Sequence, residues 1–333
     1  VGLDFLMRRR DLVYLIGAGS ATWLLTGAQA LAPSKKIGAL WPFSEDDPEA
    51  EAVKSAFYAG LKELGWTNVA IENRWGGGDT ERTKAYAKEL ADLSPDVIFA
   101  YFNAQLAPLS HVTHTIPIVF VGASDPVGAG YVASLSHPGG NITGFTLYES
   151  TLAGKWLGVL KEIEPSLARV ALLVNPETAV LHGTFYNQAL ESAAAAMGVA
   201  STVANVHDAT DLEKSLATLA QQQGSALIIA PDTFSEVNGD RIIALAAQYA
   251  LPAVYAISRY ARRGGLVSYG PNLPNAVNRA TTYIDRILRG EKAADLPVQG
   301  PVKYELAVNL KTARSLGLTM SEAFLLRADE VIE

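Results

Sequence analysis

The sequence predicts an α/β protein of two similar lobes, each a parallel sheet flanked by helices, joined by a hinge that the chain crosses several times. Three observations carry this. From residue 37 onward, short apolar runs rich in β-branched residues alternate with longer segments whose apolar residues recur at helical spacing. Such β-α-β-α alternation means parallel strands with right-handed crossovers. It runs to about residue 146 and begins again at residue 169, without a visible sequence repeat. The tail after residue 270 then departs from the pattern, with a long helix, a linker and one more strand. A tail that follows two complete α/β units carries the chain back between lobes, and several crossings make a hinge.

In order, residues 37–40 form the first strand, which delivers Trp41, Pro42 and Phe43 at its carboxyl end. Asp47 can cap the next helix, Pro48 suits its first turn, Val53, Phe57, Leu61 and Leu64 share one face, and Gly65 stops it. Residues 69–74 are the second strand, ending in the glycine-rich turn 75–79, and Thr80 caps the helix that follows. Residues 96–101 are the third strand and lead into Phe102, Asn103, Ala104 and Gln105. Residues 118–121 are the fourth; Gly122 ends the run, and Pro126 cannot donate to a ladder. Residues 142–146 form a further strand, where the chain leaves the first lobe.

The second unit has strands at 169–174, 199–206, 225–230, 252–255 and 265–269, with helices at 185–197, 208–222 and 238–249. The tail supplies a helix over 276–288, a linker over 297–301, a strand over 304–309, a helix near 311–316 and a short final helix. This places lobe 1 at 36–146 plus about 272–297, and lobe 2 at about 150–268 plus 303–333. The hinge falls near 146–150, 268–272 and 298–303.

Residues 1–30 read as an export signal rather than fold. Arg8, Arg9 and Arg10 precede a charge-free apolar stretch over 12–28, and Ala28, Gln29 and Ala30 make a small-residue cleavage site, so the mature chain begins at Leu31. A retained N-terminal anchor is the other reading. The 333 residues carry a net charge of −7, and an acidic chain without basic runs argues against nucleic acid and anionic membrane surfaces as partners. The sequence has no cysteine, which excludes a thiol nucleophile and thiolate metal sites and suits an oxidising compartment. A soluble, monomeric periplasmic protein fits all of this.

Catalytic and cofactor signatures are missing. His111 and His114 share a helical face, but no third ligand lies near them in sequence. There is no G-x-S-x-G elbow, and the glycines at 76–78 lack the lysine a P-loop needs. The first strand ends in Trp41, Pro42 and Phe43 where a dinucleotide site would have glycines, so no cofactor is expected.

What remains is a set of strand ends. In open α/β sheets ligands bind outside the carboxyl ends of strands. Those ends carry Trp41 and Phe43, then Asn103 and Gln105, then Ser124 and Asp125 in the first unit. The second unit has Asn175, Asp232 and Tyr255 in equivalent places, with Tyr269 near a crossing. Aromatic faces can sandwich a planar ligand while short polar groups fix its ends. For Ser124 and Asp125 a self-contained Asx turn is an equal alternative.

The chain resembles the substrate-binding proteins of ABC transporters, in the group that includes tryptophan-binding proteins with a type 1 periplasmic-binding fold. The resemblance spans nearly all of residues 36–333 and rests on Phe57 to Trp66, Ile116 to Gly130, His137 to Gly144, Val174 to Pro176, Gly264 to Gly270, Asn309 to Ala313 and Leu316 to Leu318. It implies two lobes closing on a small molecule and delivering it to a membrane permease. It also implies ligand contacts at Asn103, Ala104, Gln105, Ser124, Asp125, Asn175 and Asp232. Where many members carry a glycine followed by a hydroxyl residue, this chain has Asn103, Ala104 and Gln105. A hydroxyl donor for an α-carboxylate is thus absent there, whereas Asp125 or Asp232 can pair with an ammonium group.

The sequence therefore reads as a periplasmic solute-binding protein of an uptake system, not an enzyme, with an amino acid or aromatic compound as cargo. The rival readings are an exported α/β enzyme and a ligand-sensing partner of a membrane receptor.

Overall fold

The computed structural model describes residues 35–333, and the leader expected over residues 1–30 lies outside them. The first half runs β1 (Lys36–Trp41), α1 (Pro48–Glu63), β2 (Ala70–Trp75), α2 (Thr80–Asp92), β3 (Val97–Tyr101), α3 (Asn103–Val112), β4 (Ile118–Val121) and β5 (Ile142–Phe145). Then come α4 (Leu152–Ile163), β6 (Arg169–Val174), α5 (Asn187–Met197), β7 (Ala200–Asn205), α6 (Ala209–Ala220), β8 (Ser225–Ile229), α7 (Thr233–Val237) and α8 (Gly239–Gln248). The chain ends with β9 (Ala253–Tyr255), α9 (Ser258–Arg262), β10 (Val267–Pro271), α10 (Leu273–Leu288), β11 (Tyr304–Asn309), α11 (Leu310–Ser315), α12 (Glu322–Leu325) and β12 (Glu330–Ile332).

Two sheets result. The first has the order β2-β1-β3-β4-β5, all parallel. The second repeats that plan as β7-β6-β8-β9-β10, then adds β11 antiparallel to β10 and β12 parallel to β11. The fold is α/β, with parallel sheets flanked by helices.

The apolar runs form central strands because both faces are covered. Ile37, Ala39 and Trp41 lie on one face of the first sheet with Val97, Phe99, Tyr101, Val119 and Val121. Leu40, Ile98, Ala100, Ile118 and Phe120 lie on the other, against Ala87 and Leu90 of α2 and Leu106 and Leu109 of α3. Each large side chain so buried stabilises by about 1.5–3 kcal/mol.

α10 returns to the first sheet. It packs on α1 and on β3, β4 and β5. Gly60 permits this approach: a Cβ there would stand 2.4 Å from Thr281 Oγ1. Trp66 Nε1 donates to Asp285 Oδ1 at 2.8 Å and fixes the pair at its far end. The chain thus passes between the sheets after β5, after β10 and before β11. These passages are bonded together: Thr146 N donates to the Gln299 carbonyl at 2.8 Å, and Asn272 N to the Lys303 carbonyl at 3.1 Å.

Local expectations change in several places. Asp79, not Thr80, caps α2, accepting from Arg82 N at 2.9 Å. The helix expected from about residue 185 begins at Asn187, and the connection after β6 contains Leu181 and His182 in left-handed conformation (φ 49° and 53°). The short helices α7 and α9 and the edge strand β12 are additional; none is long enough to show a periodicity in sequence.

Candidate functional site

In a sheet ordered 2-1-3-4-5 the crevice opens beyond the carboxyl ends of the first and third strands. In the first sheet those are the ends of β1 and β3, with β4 beside them. In the second they are the ends of β6 and β8.

The first wall is set by two unusual backbone positions. Phe102 has φ 71° and turns the chain sharply from β3 into α3, which puts Asn103, Ala104 and Gln105 in the first helical turn. Gly122 has φ 88° and lies so close to the Phe102 ring that a Cβ would come within 2.4 Å of it. The chain then runs through buried Ser124 to Asp125, at φ 46°. Asp125 Oδ1 accepts from Gly128 N at 2.9 Å, so the carboxylate closes a turn and also faces the space beyond the sheet.

The second wall is held by carboxylate and amide bonds to the backbone. Asp232 is buried and caps α7, accepting from Ser235 N at 2.6 Å and, across the gap between β8 and β6, from Asn175 N at 3.0 Å. Burial pushes the Asp232 carboxyl above the usual range, against the pull of those backbone N–H groups. Asn175 Oδ1 accepts from Glu177 N at 2.8 Å and Thr178 N at 3.2 Å, while its Nδ2 donates to the His207 carbonyl at 3.3 Å. The polar atoms of Asn175 and Asp232 are therefore engaged in shaping the loop that follows β6. His207 Nδ1 meets Glu177 Oε1 at 2.9 Å on the outer side, and that bond raises the imidazole's affinity for its proton.

The two walls meet around a cavity of about 190 Å³. Asn103, Ser124, Asp125, Ala129 and Tyr131 line it from the first sheet, and Thr178 to Leu181 from the second. Of the residues singled out in sequence, Asn103, Ser124 and Asp125 come together here. Gln105 lies beside Asn103 but is buried; Ala104 is exposed.

The aromatic residues are placed differently. Trp41 is fully buried, stacks on Trp75 at 5.5 Å and donates from Nε1 to Asn73 Oδ1 at 2.9 Å. It shares the Ile37–Ala39 face of β1, which points into the core. Phe43 is nearly buried against Tyr101, with ring centroids 5.7 Å apart. Tyr255 is buried and stacks on Tyr260 at 5.2 Å; burial raises the pKa of its phenol. Tyr269 stacks on Tyr304 at 5.7 Å near the passage into α10. None of these four lines the cavity between the walls.

Four polar residues not singled out in sequence are buried in the second half of the fold and in the passage that leads to it. Tyr148 lies in the passage after β5, Tyr186 precedes α5, Ser235 is in α7 and Arg259 is in α9; all four are buried. Burial, and then the neighbouring phenols of Tyr186 and Tyr101, hold the Tyr148 hydroxyl well above the ordinary phenol range. Burial and then Asp232 do the same for Tyr186. The strand-end rule could have found Arg259, which stands four residues beyond Tyr255, had the reading continued past the first residues after each strand. Among the described residues no group of three or more His, Asp and Glu could hold a metal ion, and no helix is long and apolar enough to cross a membrane.

Paired crevices at the strand ends of two like sheets, facing one cavity, define a two-walled ligand-binding protein. Residues 40–332 match the family described as ABC transporter substrate binding protein, and the chain belongs to it. It is 21% identical over 276 residues to the tyrosine-binding protein of Clostridioides difficile, covering 82% of this chain and 79% of that one. A conserved domain protein from Vibrio cholerae superposes with a TM-score of 0.81 at 25% identity, over 90% of this chain and 99% of that one. A Streptococcus pneumoniae protein in complex with L-Trp superposes with a TM-score of 0.80 at 22% identity, over 90% and 100%.

Proposed function

We propose that this protein captures an amino acid or a related aromatic compound outside the cytoplasmic membrane and presents it to an ABC-type permease, without chemical turnover. The observation that carries this is the cavity shared by Asn103, Ser124 and Asp125 with the loop Thr178 to Leu181. A ligand held there touches both walls, so its contacts favour the closed arrangement over an open one. The relatives that bind tyrosine and tryptophan support the ligand class.

In this reading residues 36–146 with about 272–297 move as one lobe, and about 150–268 with 303–333 as the other. The passages near 146–150, 268–272 and 298–303 flex together because they are bonded to one another. Asn103, Ala104, Gln105, Ser124 and Asp125 contact the ligand, with Asp125 pairing with its ammonium group. Asn175 and Asp232 hold the facing loop in shape. Trp41, Phe43, Tyr255 and Tyr269 support the walls from outside the cavity. Export by the leader places the mature chain in the periplasm as a monomer.

Thermal unfolding of residues 31–333 against amino acids, aromatic acids, polyols and nucleosides tests the function. A ligand at about 1,000 times its Kd should add roughly 4 kcal/mol, a shift on the order of ten degrees for a chain this long. Silence across the panel, with protein refolded to remove any carried-over ligand, would count against the proposal.

A further inference from the structure

Arg259 is only 8% exposed. A guanidinium held this far from water needs partners for its donors. Glu236 of α7 takes Nη2, and the Tyr260 ring lies 5.2 Å from the guanidinium carbon. Nε has no hydrogen-bond partner among the described residues. The hydroxyls of Tyr148 and Tyr186 are in the same condition, and those residues are 3% and 4% exposed. On the other wall Asn103 Oδ1 and Gln105 Oε1 are likewise buried and unpartnered among the described residues. Burial, then the phenols of Tyr186 and Tyr101, raise the Tyr148 hydroxyl, and the Arg259 charge opposes them.

Buried polar groups in folded proteins are almost always satisfied, and exceptions call for an explanation. Here they come from both sheets and from the passage between them, and Asn103 also lines the cavity. Among them Arg259 presents an Nε–H and Tyr148 and Tyr186 phenolic O–H donors, while Asn103 and Gln105 present amide oxygens.

We infer that Arg259, with Tyr148 and Tyr186, forms an anion subsite on the second wall, and that the ligand is a carboxylate-bearing zwitterion rather than a polyol or a simple amine. The inference rests on the solute-binding reading above. A bond from the guanidinium Nε–H to a carboxylate has a full charge on both partners, whereas one to a neutral hydroxyl is charged on the donor side alone. Both phenols stay protonated through the neutral range, since burial raises them, and so can donate to the same carboxylate. Glu236 already balances the guanidinium. An added carboxylate therefore needs its own counter-charge, which an α-ammonium supplies when it meets the amide oxygens of Asn103 and Gln105 and the Asp125 carboxylate. This also accounts for the absence of a hydroxyl donor at residues 103–105: the carboxylate is taken on the opposite wall.

The test is the affinity of three probes for wild type, for Arg259→Lys and for the paired variant Arg259→Gln with Glu236→Gln, which leaves no lone buried charge. The probes are L-tyrosine, tyramine, which lacks the carboxylate, and 3-(4-hydroxyphenyl)propionate, which lacks the ammonium. L-tryptophan, tryptamine and indole-3-propionate run in parallel. Melting without ligand reports whether each variant folds. Wild type should prefer the amino acid over its amine at least a hundredfold. The paired variant should lose at least a hundredfold for the amino acid and weaken the acid, yet change the amine less than threefold; Arg259→Lys should fall between. Amine binding as tight as amino-acid binding, or variants within threefold of wild type for the amino acid, overturns the inference. Tight binding of an uncharged polyol in preference to all these probes also overturns it while leaving the solute-binding reading intact. No stabilisation by any compound in the wider panel overturns both.

Discussion

At Asp125 one carboxylate carries two duties, since Oδ1 closes the turn with Gly128 N while the group faces the cavity. Asp125→Asn keeps an acceptor for the turn and removes the charge. If Asp125 pairs with an ammonium group, the variant should bind L-tyrosine at least tenfold more weakly in a calorimetric titration, with melting shifted by no more than about two degrees; unchanged affinity would reduce Asp125 to a turn residue. Asp232 gives a pH signature of unusual sign. Its carboxyl is raised in the folded state by burial, so the folded chain holds that proton more tightly than the unfolded one. Its contribution to stability is then greatest below the unfolded value and declines as pH rises through the folded one. The urea midpoint of wild type relative to Asp232→Asn should decline as pH rises from 3 to 7; a difference that does not change with pH would refute the assignment. At this scale the sequence was a partial guide. The strand-end rule brought Asn103, Ser124 and Asp125 to one cavity, whereas Trp41, chosen by the same rule, lies in the core. Its two-residue spacing from Ile37 and Ala39 already assigned it to the core face.

Among the elements, the connection from β3 to α3 and the end of β4 are locked to each other. Phe102 N donates to the Val121 carbonyl at 2.7 Å, and Gly122 yields to the Phe102 ring. Gly122→Ala must adopt a left-handed backbone and displace that ring, a cost of about 3 kcal/mol. Urea unfolding should report that loss, and ligand affinity should fall with it because Asn103 and Ser124 shift together; a variant within 0.5 kcal/mol of wild type would show the loops to be independent. Most strands were legible because burial on both faces leaves unbroken apolar runs, as at 97–101 and 118–121. The loop after β6 was not, since its left-handed residues Leu181 and His182 carry no glycine signal. Nor were α7 and α9, where a single turn shows no period. Those unread turns carry Ser235 and Arg259.

For the whole molecule, the sequence showed two α/β units but not that their strands share one order, because pairing partners leave no mark in a run of apolar residues. It also could not show that β11 enters the second sheet antiparallel to β10. The return of α10 was suggested only by its position in the chain, and the contact that fixes it, Gly60 against Thr281, is a matter of space rather than pattern. If the bonded passages act as a hinge, a saturating ligand should lower the radius of gyration seen by small-angle scattering; an unchanged value on binding would indicate a preformed site.

The claim that one solute is held between the two sheets is tested most directly by calorimetric titration of refolded, ligand-free protein, residues 31–333, with L-tyrosine and L-tryptophan at two temperatures. The expected result is saturable binding of one of them at one molecule per chain, with a negative heat-capacity change as both walls are buried. Absence of saturable heat with either, at concentrations up to the millimolar range, would contradict it.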